Sequence, residues 1–265
     1  MTVDVIILNR NLRDVTDKLA ISLEAISEVS RVDVVDAGSS KREISKRTFV
    51  RDGGDFALTN GLRINRGFNL GLSTWLTLES TSSWVLLLPN DSELVFADFP
   101  KLLEATSRVP ELVAIVPISE DNAYAPLIDE TGMALAWNFH EGPLLVRSDF
   151  VRERLKKDAD LFDHENFRGF ASFLELSFQA YASDNCIIAT NLLQFEENTS
   201  HLLTQHALIG TEPQAENLSL LLREGKKWLA AKYGFTDRRN LELATRLLFE
   251  EFCIGHPEIS VKPAV

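Results

Sequence analysis

Short apolar runs alternate with segments of helical spacing along the first half of the sequence. The runs are VDVIIL at residues 3–8, RVDVVDAGSS at 31–40, WVLLL at 84–88 and ELVAIVPI at 111–118. Residues 12–26 place leucine, valine and isoleucine at helical spacing, and residues 69–78 form a later helical segment. Neighbouring parallel strands need a crossover connection, which is usually a helix. The pattern therefore predicts an α/β fold with a mostly parallel central sheet flanked by helices.

Polar residues follow three of these predicted strands. Asn9 to Asn11 follow the first strand, Asp36 to Ser39 the second, and Asn90 to Glu93 the run WVLLL. The carboxyl ends of parallel strands share one edge of a sheet, and open α/β sheets bind their ligands beyond that edge. We therefore expect these three polar segments to meet at one binding site.

The composition limits the class of protein and ligand. The 265 residues are 45% hydrophobic and 25% charged, the usual balance of a globular protein. A net charge of -12 argues against nucleic acid binding, which requires clustered lysine and arginine. Two distant cysteines, Cys186 and Cys253, predict neither a disulfide framework nor a zinc site. Without a signal peptide or a transmembrane run, we expect a cytoplasmic protein that could also lie at the inner face of a membrane.

Four segments read, in order, VDVIILNRN, VDVVDAGSS, NRGFNLGL and WVLLLPNDSEL. They resemble the N-terminal half of family-2 glycosyltransferases with the GT-A fold, particularly the rhamnosyltransferase-like branch. The corresponding family patterns are close to VSVIIPTYNR, VDNGSxD, NxGFxxxxNxGL and LLLNPDxEL. GPLLVRSDF, LFDHENF and KKWLAAKYG extend the resemblance to about Gly234. The similarity rests on the joint order of the motifs.

The resemblance implies a GT-A fold and transfer of a sugar from a nucleoside-diphosphate donor. The acceptor would be a hydroxyl of a glycan, a lipid-linked sugar or a small molecule, with inversion at the sugar. Mn²⁺ or Mg²⁺ would assist, because a divalent cation neutralises the diphosphate as the sugar leaves. Asp91 matches the metal aspartate, and Glu93 could present its carboxylate on the same side. His201 is a further candidate metal ligand, with His206 close enough to leave that choice open.

The resemblance also assigns a donor site. Asp36 matches the aspartate that accepts a hydrogen bond from the nucleotide base. The other candidates to bind the donor are Asn9, Arg10, Asn11, Asn90 and, near the phosphates, Arg66. A plainer explanation exists for each, because aspartate and asparagine favour turns and arginine is often solvated. Their occurrence at successive strand ends favours a site.

The segment that should supply the catalytic base departs from the family. The family has an EDxDL motif on a helix, and here RGFASFLELSFQAYASD at 168–184 places Ser172 and Phe173 at the acidic pair. Glu175 is the nearest carboxylate and the first candidate base, followed by Asp163 and Glu165. An ordinary polar residue on a helix is the equally weighted alternative for Glu175. The lost acidic pair also suggests a rival function, a non-catalytic relative that binds a nucleotide or a protein partner.

A nucleotidyltransferase of similar architecture is a third candidate. The loop rich in glycine and basic residues that it would need after the first strand is missing, because the chain reads NRNLRDVTDK there.

The last part of the sequence looks helical. Apolar residues recur at helical intervals from 218 to 229 and from 241 to 252. We therefore expect a GT-A domain over residues 1–212 and a C-terminal helical appendage with a tail over 213–265. These helices are candidates for a homodimer face, and their few basic residues do not support membrane binding.

Overall fold

The structure is a computed structural model that describes residues 1–96, 98–119, 127–128, 130–139, 142–158, 160–197 and 214–259. The strands are β1 (Val3–Asn9), β2 (Val29–Asp36), β3 (Thr48–Arg51), β4 (Trp84–Pro89), β5 (Ser92–Val95), β6 (Leu112–Ile118), β7 (Met133–Leu135), β8 (Leu144–Arg147) and β9 (Cys186–Glu197). The helices are α1 (Arg13–Glu24), α2 (Asp55–Asn60), α3 (Arg63–Leu76), α4 (Phe99–Thr106), α5 (Ser148–Asp158), α6 (Ser172–Tyr181), α7 (Gln214–Tyr233) and α8 (Arg238–Gly255).

The described strands form one mixed sheet with the order β3-β2-β1-β4-β8-β6-β9-β5, and β7 pairs with β9. Parallel pairing joins β1 to β2 and β4, β2 to β3, and β6 to β9. Strand β8 runs antiparallel between β4 and β6. The prediction of a mostly parallel sheet flanked by helices is confirmed, and the polar ends of β1, β2 and β4 lie at one edge.

Alternate residues of the central strands face two helical layers. Ile6, Val85 and Leu87 belong to a core cluster that includes apolar residues of α3, α5 and α6. Val5, Ile7 and Leu86 belong to a second cluster, which includes residues of α1, α4 and α8. The period-2 alternation along each strand therefore buries both faces of the sheet.

Helix α3 begins at Arg63, six residues before the predicted start at Asn69. Its first turns bury polar side chains, Asn65 and Asn69, so the apolar spacing underestimates its length. Two glycines let the helix approach the sheet closely. A Cβ at Gly67 would lie 2.4 Å from Leu8 Cδ1, and one at Gly71 would lie 2.6 Å from Val35 Cγ2. These contacts fix the start of α3 beside the ends of β1 and β2.

The two C-terminal helices pack on the preceding part of the chain. Phe249 and Phe252 of α8 meet Tyr181 of α6 edge-on, each with 5.4 Å between ring centroids. Both phenylalanines belong to the core cluster of the α1 and α4 face. The predicted domain boundary between residues 212 and 213 lies outside the described residues.

Leu243, Leu247 and Ile254 are exposed on the outer face of α8. Dimerisation through this region stays a prediction. Among the described residues, no helix combines the length and apolarity that a bilayer span requires.

Candidate active site

Asn9 ties the ends of three strands together. Its buried Nδ2 lies 3.3 Å from Asp36 Oδ2, and its Oδ1 accepts a hydrogen bond of 3.3 Å from Asn90 Nδ2. Thr16 of α1 completes the arrangement, because its hydroxyl donates to Asn9 Oδ1 at 2.9 Å and accepts from Asn90 Nδ2 at 3.1 Å. Three residues that the sequence assigns to the donor site therefore form one network at the edge of the sheet.

Asp36 is fully buried, and its carboxylate shapes the loop after β2. Oδ1 accepts hydrogen bonds from the backbone amides of Gly38 at 3.2 Å and Ser39 at 2.9 Å, and from Arg51 Nε at 3.3 Å. Together with Asn9, four donors engage a group that has about four acceptor sites. The turn role of Asp36 is thus present in the structure, and its contact with a nucleotide base stays a prediction.

Asn11 and Arg10 hold the loop after β1. Asn11 has φ of 56°, its amide donates to Ser39 Oγ at 2.9 Å, and its Oδ1 accepts from the amide of Ser40 at 2.8 Å. Arg10 instead contacts the end of α2, where its guanidinium donates to the carbonyl of Asn60 at 3.0 Å. That approach requires Gly61, since a Cβ there would lie 2.1 Å from the guanidinium.

Arginine side chains gather around the ring of Phe167 at the start of α3. The guanidinium carbon of Arg66 lies 4.9 Å from the centroid of Phe167 and 5.3 Å from that of Phe56, and its Nε donates to the carbonyl of His164 at 3.1 Å. Arg63 and Arg168 approach the Phe167 ring at 5.7 and 6.0 Å. Cation–π contacts fix the orientation of these guanidinium groups and concentrate positive charge around Phe167.

Asp91 occupies the turn between β4 and β5, directly after the networked Asn90. Glu93 is exposed on β5, opposite Glu196 of β9. Asp91 and Glu93 both line a cavity of about 460 Å³ between this turn and α1, which also contributes Lys18. Within the described residues, no group of three or more His, Cys, Asp and Glu side chains is arranged to hold a metal. The third predicted ligand, His201, lies outside the described residues.

Two asparagines of α3 hold the segment 161–166, which contains two candidate bases. Asn65 Nδ2 donates to the carbonyls of Asp163 and Asn166, both at 3.0 Å. Asn69 donates to the Phe162 carbonyl at 2.6 Å and accepts from the amides of residues 161 and 162 at 3.2 and 3.1 Å. The NRGFNLGL motif therefore positions the segment that carries Asp163.

Replacing Asn69 with alanine should destabilise the protein by about 1–3 kcal/mol, because buried backbone groups lose their partners. Urea unfolding measures this, and the amides of Leu161 and Phe162 should exchange hydrogen faster. Ser73→Ala, at an exposed position of the same helix, is the matched control. Unchanged hydrogen exchange at the amides of residues 161 and 162 would show that Asn69 does not hold this segment.

Lys232 of α7 joins two of the candidate bases. Its Nζ lies 2.6 Å from Asp163 Oδ2 and 2.7 Å from Glu175 Oε1. Trp228 Nε1 also donates to Asp163 Oδ2 at 3.0 Å, and Tyr233 donates to Glu175 Oε1 at 2.7 Å. The side chains of Glu175, Asp163 and Lys232 are 3%, 14% and 34% exposed. The network therefore bridges α6, the 161–166 segment and α7.

The two carboxylates have opposite pKa shifts although they share one lysine. Burial raises the pKa of Glu175, and hydrogen bonds from Lys232 and Tyr233 offset this only in part. Burial also acts to raise the pKa of Asp163, but the bonds from Lys232 and Trp228 outweigh it and leave the pKa below the ordinary value. For Lys232 itself, the two carboxylates outweigh desolvation and raise the pKa. Glu175 is consequently the stronger base of the pair.

Glu165, the third candidate base, is on the surface. Its carboxylate lies 3.1 Å from His164 Nε2, and its backbone amide donates to Asp163 Oδ1 at 2.9 Å. In this position Glu165 helps to hold Asp163 and is separate from Glu175.

Several residues of the site were not identified from the sequence. Lys232 and Tyr233 lie more than 50 positions from Glu175, and Thr16 looks like an ordinary helix residue. The one signal for Lys232 was its place in KKWLAAKYG, a segment that only the resemblance singled out.

No family profile and no curated protein matches the sequence. Solved structures match the fold. GalNAc-T7 with UDP, GalNAc and Mn²⁺ has a TM-score of 0.57 at 12% identity, over 96% of this chain and 56% of that one. S. aureus TarS has a TM-score of 0.51 at 13% identity, over 91% and 45%. Glucosyl-3-phosphoglycerate synthase from Mycobacterium tuberculosis, in complex with Mg²⁺ and UDP, has a TM-score of 0.50 at 11% identity, over 89% and 81%.

This chain spans about half of GalNAc-T7 and of TarS, and most of the synthase. At these identities the similarity concerns the path of the backbone. The sheet order with its antiparallel β8, the helices on both faces and these neighbours together establish that the chain has the GT-A fold of nucleotide-sugar glycosyltransferases.

Proposed function

We propose that this protein is a glycosyltransferase that moves a sugar from a nucleoside-diphosphate donor to a hydroxyl group, with inversion at the sugar. The observation that carries the proposal is the network of Asn9, Asp36 and Asn90, which brings three strand ends together directly beside Asp91. Open α/β sheets bind their ligands beyond this edge. The rhamnosyltransferase-like branch suggested by the motifs is part of the proposal.

The donor side combines this network with positive charge. Two of the similar structures contain UDP together with Mn²⁺ or Mg²⁺, which supports a nucleoside diphosphate as the ligand here. Asp91 and Glu93 would hold the ion, since hard cations prefer carboxylate oxygens. A bound divalent ion would neutralise the departing diphosphate. Arg66, which lies over the rings of Phe167 and Phe56, would contribute to phosphate binding.

The acceptor side would use Glu175. In an inverting transfer the acceptor oxygen bonds to the anomeric carbon, the bond from that carbon to the diphosphate breaks, and a carboxylate takes the hydroxyl proton. Lys232 and Tyr233 hold Glu175 in one orientation, and burial raises its pKa towards that of a useful base. A glycan, a lipid-linked sugar and a small molecule all remain acceptors within the proposal.

The donor site is tested by Asp91→Asn. We expect Mn²⁺-dependent binding of a nucleoside diphosphate to weaken by about tenfold or more, since Asp91 offers the ion a carboxylate. Calorimetry with UDP, GDP and dTDP, with and without Mn²⁺, measures the change. Glu104→Gln, which removes an exposed carboxylate on α4, is the control. Equal Mn²⁺-dependent affinities in the parent and Asp91→Asn would remove Asp91 from the site.

A specific observation favours a second candidate, a relative that binds a nucleotide without transferring its sugar. Glu175 is 3% exposed and accepts from Lys232, Tyr233 and Gln179, so it resembles a structural carboxylate. An assay of donor hydrolysis and transfer, run with Mn²⁺ and a broad acceptor panel, separates the two candidates. Tight nucleotide binding without hydrolysis or transfer supports the second.

A further inference from the structure

A large cavity lies apart from the donor-site network, where the start of α6 meets α7 and α8. It measures about 890 Å³, within the usual range for pockets that bind small molecules. Arg168 connects the two regions, because it lines this cavity and also approaches the Phe167 ring beside Arg66.

One side of the cavity is apolar. Phe170, Phe173 and Leu174 form its inner wall, and Leu218 and Leu222 stand one helical turn apart along α7 at its mouth. Both leucines are exposed, so the apolar surface continues from the wall to solvent. Burying such a surface against an apolar ligand is favourable because it removes apolar area from water.

The other side is cationic in a protein whose net charge is -12. Arg168, Lys226, Arg238 and Arg239 line the cavity together with the acids Asp237 and Glu242. Both acids have partners, because Glu242 pairs with Arg238 at 2.9 Å and Asp237 accepts from the amide of Arg239. Within the described part of the chain, the side chains of Lys226 and Arg239 make no hydrogen bond or ion pair. The amide of Arg239 does not neutralise the Asp237 carboxylate, so Lys226 and Arg239 face the cavity together with one anion that has no ion pair among the described residues, and the two cations outnumber it.

We propose that this cavity binds an anionic amphiphile, a molecule with an apolar body that ends in a phosphate. The apolar wall matches the body, and the charges of Lys226 and Arg239 match the phosphate. Asn9, Asp36, Asn90 and Asp91 do not line this cavity, so its test requires neither donor nor metal.

Calorimetry with octyl phosphate, below the concentration at which it forms micelles, tests the proposal. We expect saturable binding at one site, with octanol and inorganic phosphate each binding at least about tenfold more weakly, because each lacks one half of the match. The double variant Lys226→Gln with Arg239→Gln should lose about tenfold in affinity for octyl phosphate. Leu222→Asp should weaken binding to a similar extent through the apolar half.

The matched control is the double variant Arg223→Gln with Lys227→Gln. It removes one arginine and one lysine from exposed positions of α7 that do not line the cavity. Equal losses in the two double variants would show general charge attraction and overturn the site. Equal binding of octanol would overturn the phosphate contact. Binding to phosphatidic acid vesicles without any binding of octyl phosphate would assign the charges to a membrane surface and also overturn the proposal.

Discussion

We expect glutamine in place of Glu175 to lower turnover by about 10²–10⁴-fold, the usual contribution of a general base, while the affinity for the nucleotide stays close to that of the parent. Glutamine keeps the size of the side chain but cannot take the hydroxyl proton. Steady-state transfer at saturating donor measures the first effect, and calorimetry with the nucleoside diphosphate measures the second. Thermal unfolding of the variant checks whether the fold is retained at the assay temperature.

The pH profile gives this prediction a second readout. A general base must be ionised, and burial raises the pKa of Glu175 above its ordinary value of 4.5. The parent should therefore lose activity as the pH falls through this raised pKa. The residual activity of the Glu175→Gln variant should not show this decrease. Glu165→Gln, on the surface nearby, should leave turnover unchanged. Full activity in Glu175→Gln, together with a loss of activity in either Glu165→Gln or Asp163→Asn, would show that Glu165 or Asp163, respectively, is the general base.

We expect methionine in place of Lys232 to destabilise the protein by about 2–4 kcal/mol at neutral pH. The change leaves the carboxylates of Asp163 and Glu175 without their shared cation, although both are largely buried. The expected value is below that of a fully buried pair because Lys232 is 34% exposed and partly screened by solvent. Urea unfolding of the parent and variant gives the difference directly.

This destabilisation should depend on pH. Asp163 has a lowered pKa, so its ion pair contributes stability above the unfolded pKa of about 3.9, and the contribution disappears as the pH falls through the folded value. Glu175 shares Lys232 and has a raised pKa, so its ion pair is lost first as the pH falls. The difference between parent and variant should therefore begin to shrink above pH 4.5 and shrink further as the pH passes through the lowered pKa of Asp163. Lys227→Met, on an exposed position of the same helix, should cost little. A difference that stays constant down to pH 3 would show that lost packing, rather than the ion pair, causes the destabilisation.

These experiments also test two interpretations of the C-terminal helices. The sequence predicts an appendage after residue 212, whereas Lys232 and Tyr233 bind the candidate base and Phe249 and Phe252 belong to a core cluster of the sheet. If Lys232→Met lowers stability in a single cooperative transition, α7 unfolds together with the GT-A domain. Two separate transitions would support an independent appendage.

The parallel part of the sheet was predictable because its strands are buried on both faces. VDVIIL and WVLLL are near-continuous apolar runs, which are typical of strands buried on both faces. The segment of helical spacing between the first two runs supplies the crossover that parallel strands need. The order of polar strand ends then predicted that Asn9, Asp36 and Asn90 would meet, and the network confirms their proximity. Strands β3, β5, β7 and β8 were not predicted, because three or four residues carry too little periodic signal, and the twelve-residue β9 was missed as well.

Local sequence thus determined the α/β class, the edge at which the polar residues gather and the proximity of Asn9, Asp36 and Asn90. These features depend on residue type and on spacing along one strand or helix. Tertiary structure alone decided that Asp36 is saturated by internal donors, that α3 asparagines hold the segment of Asp163, and that Lys232 pairs with both Asp163 and Glu175. The ionisation of a carboxylate depends on its burial and on the charges within a few ångströms, and those neighbours come from segments distant in the sequence.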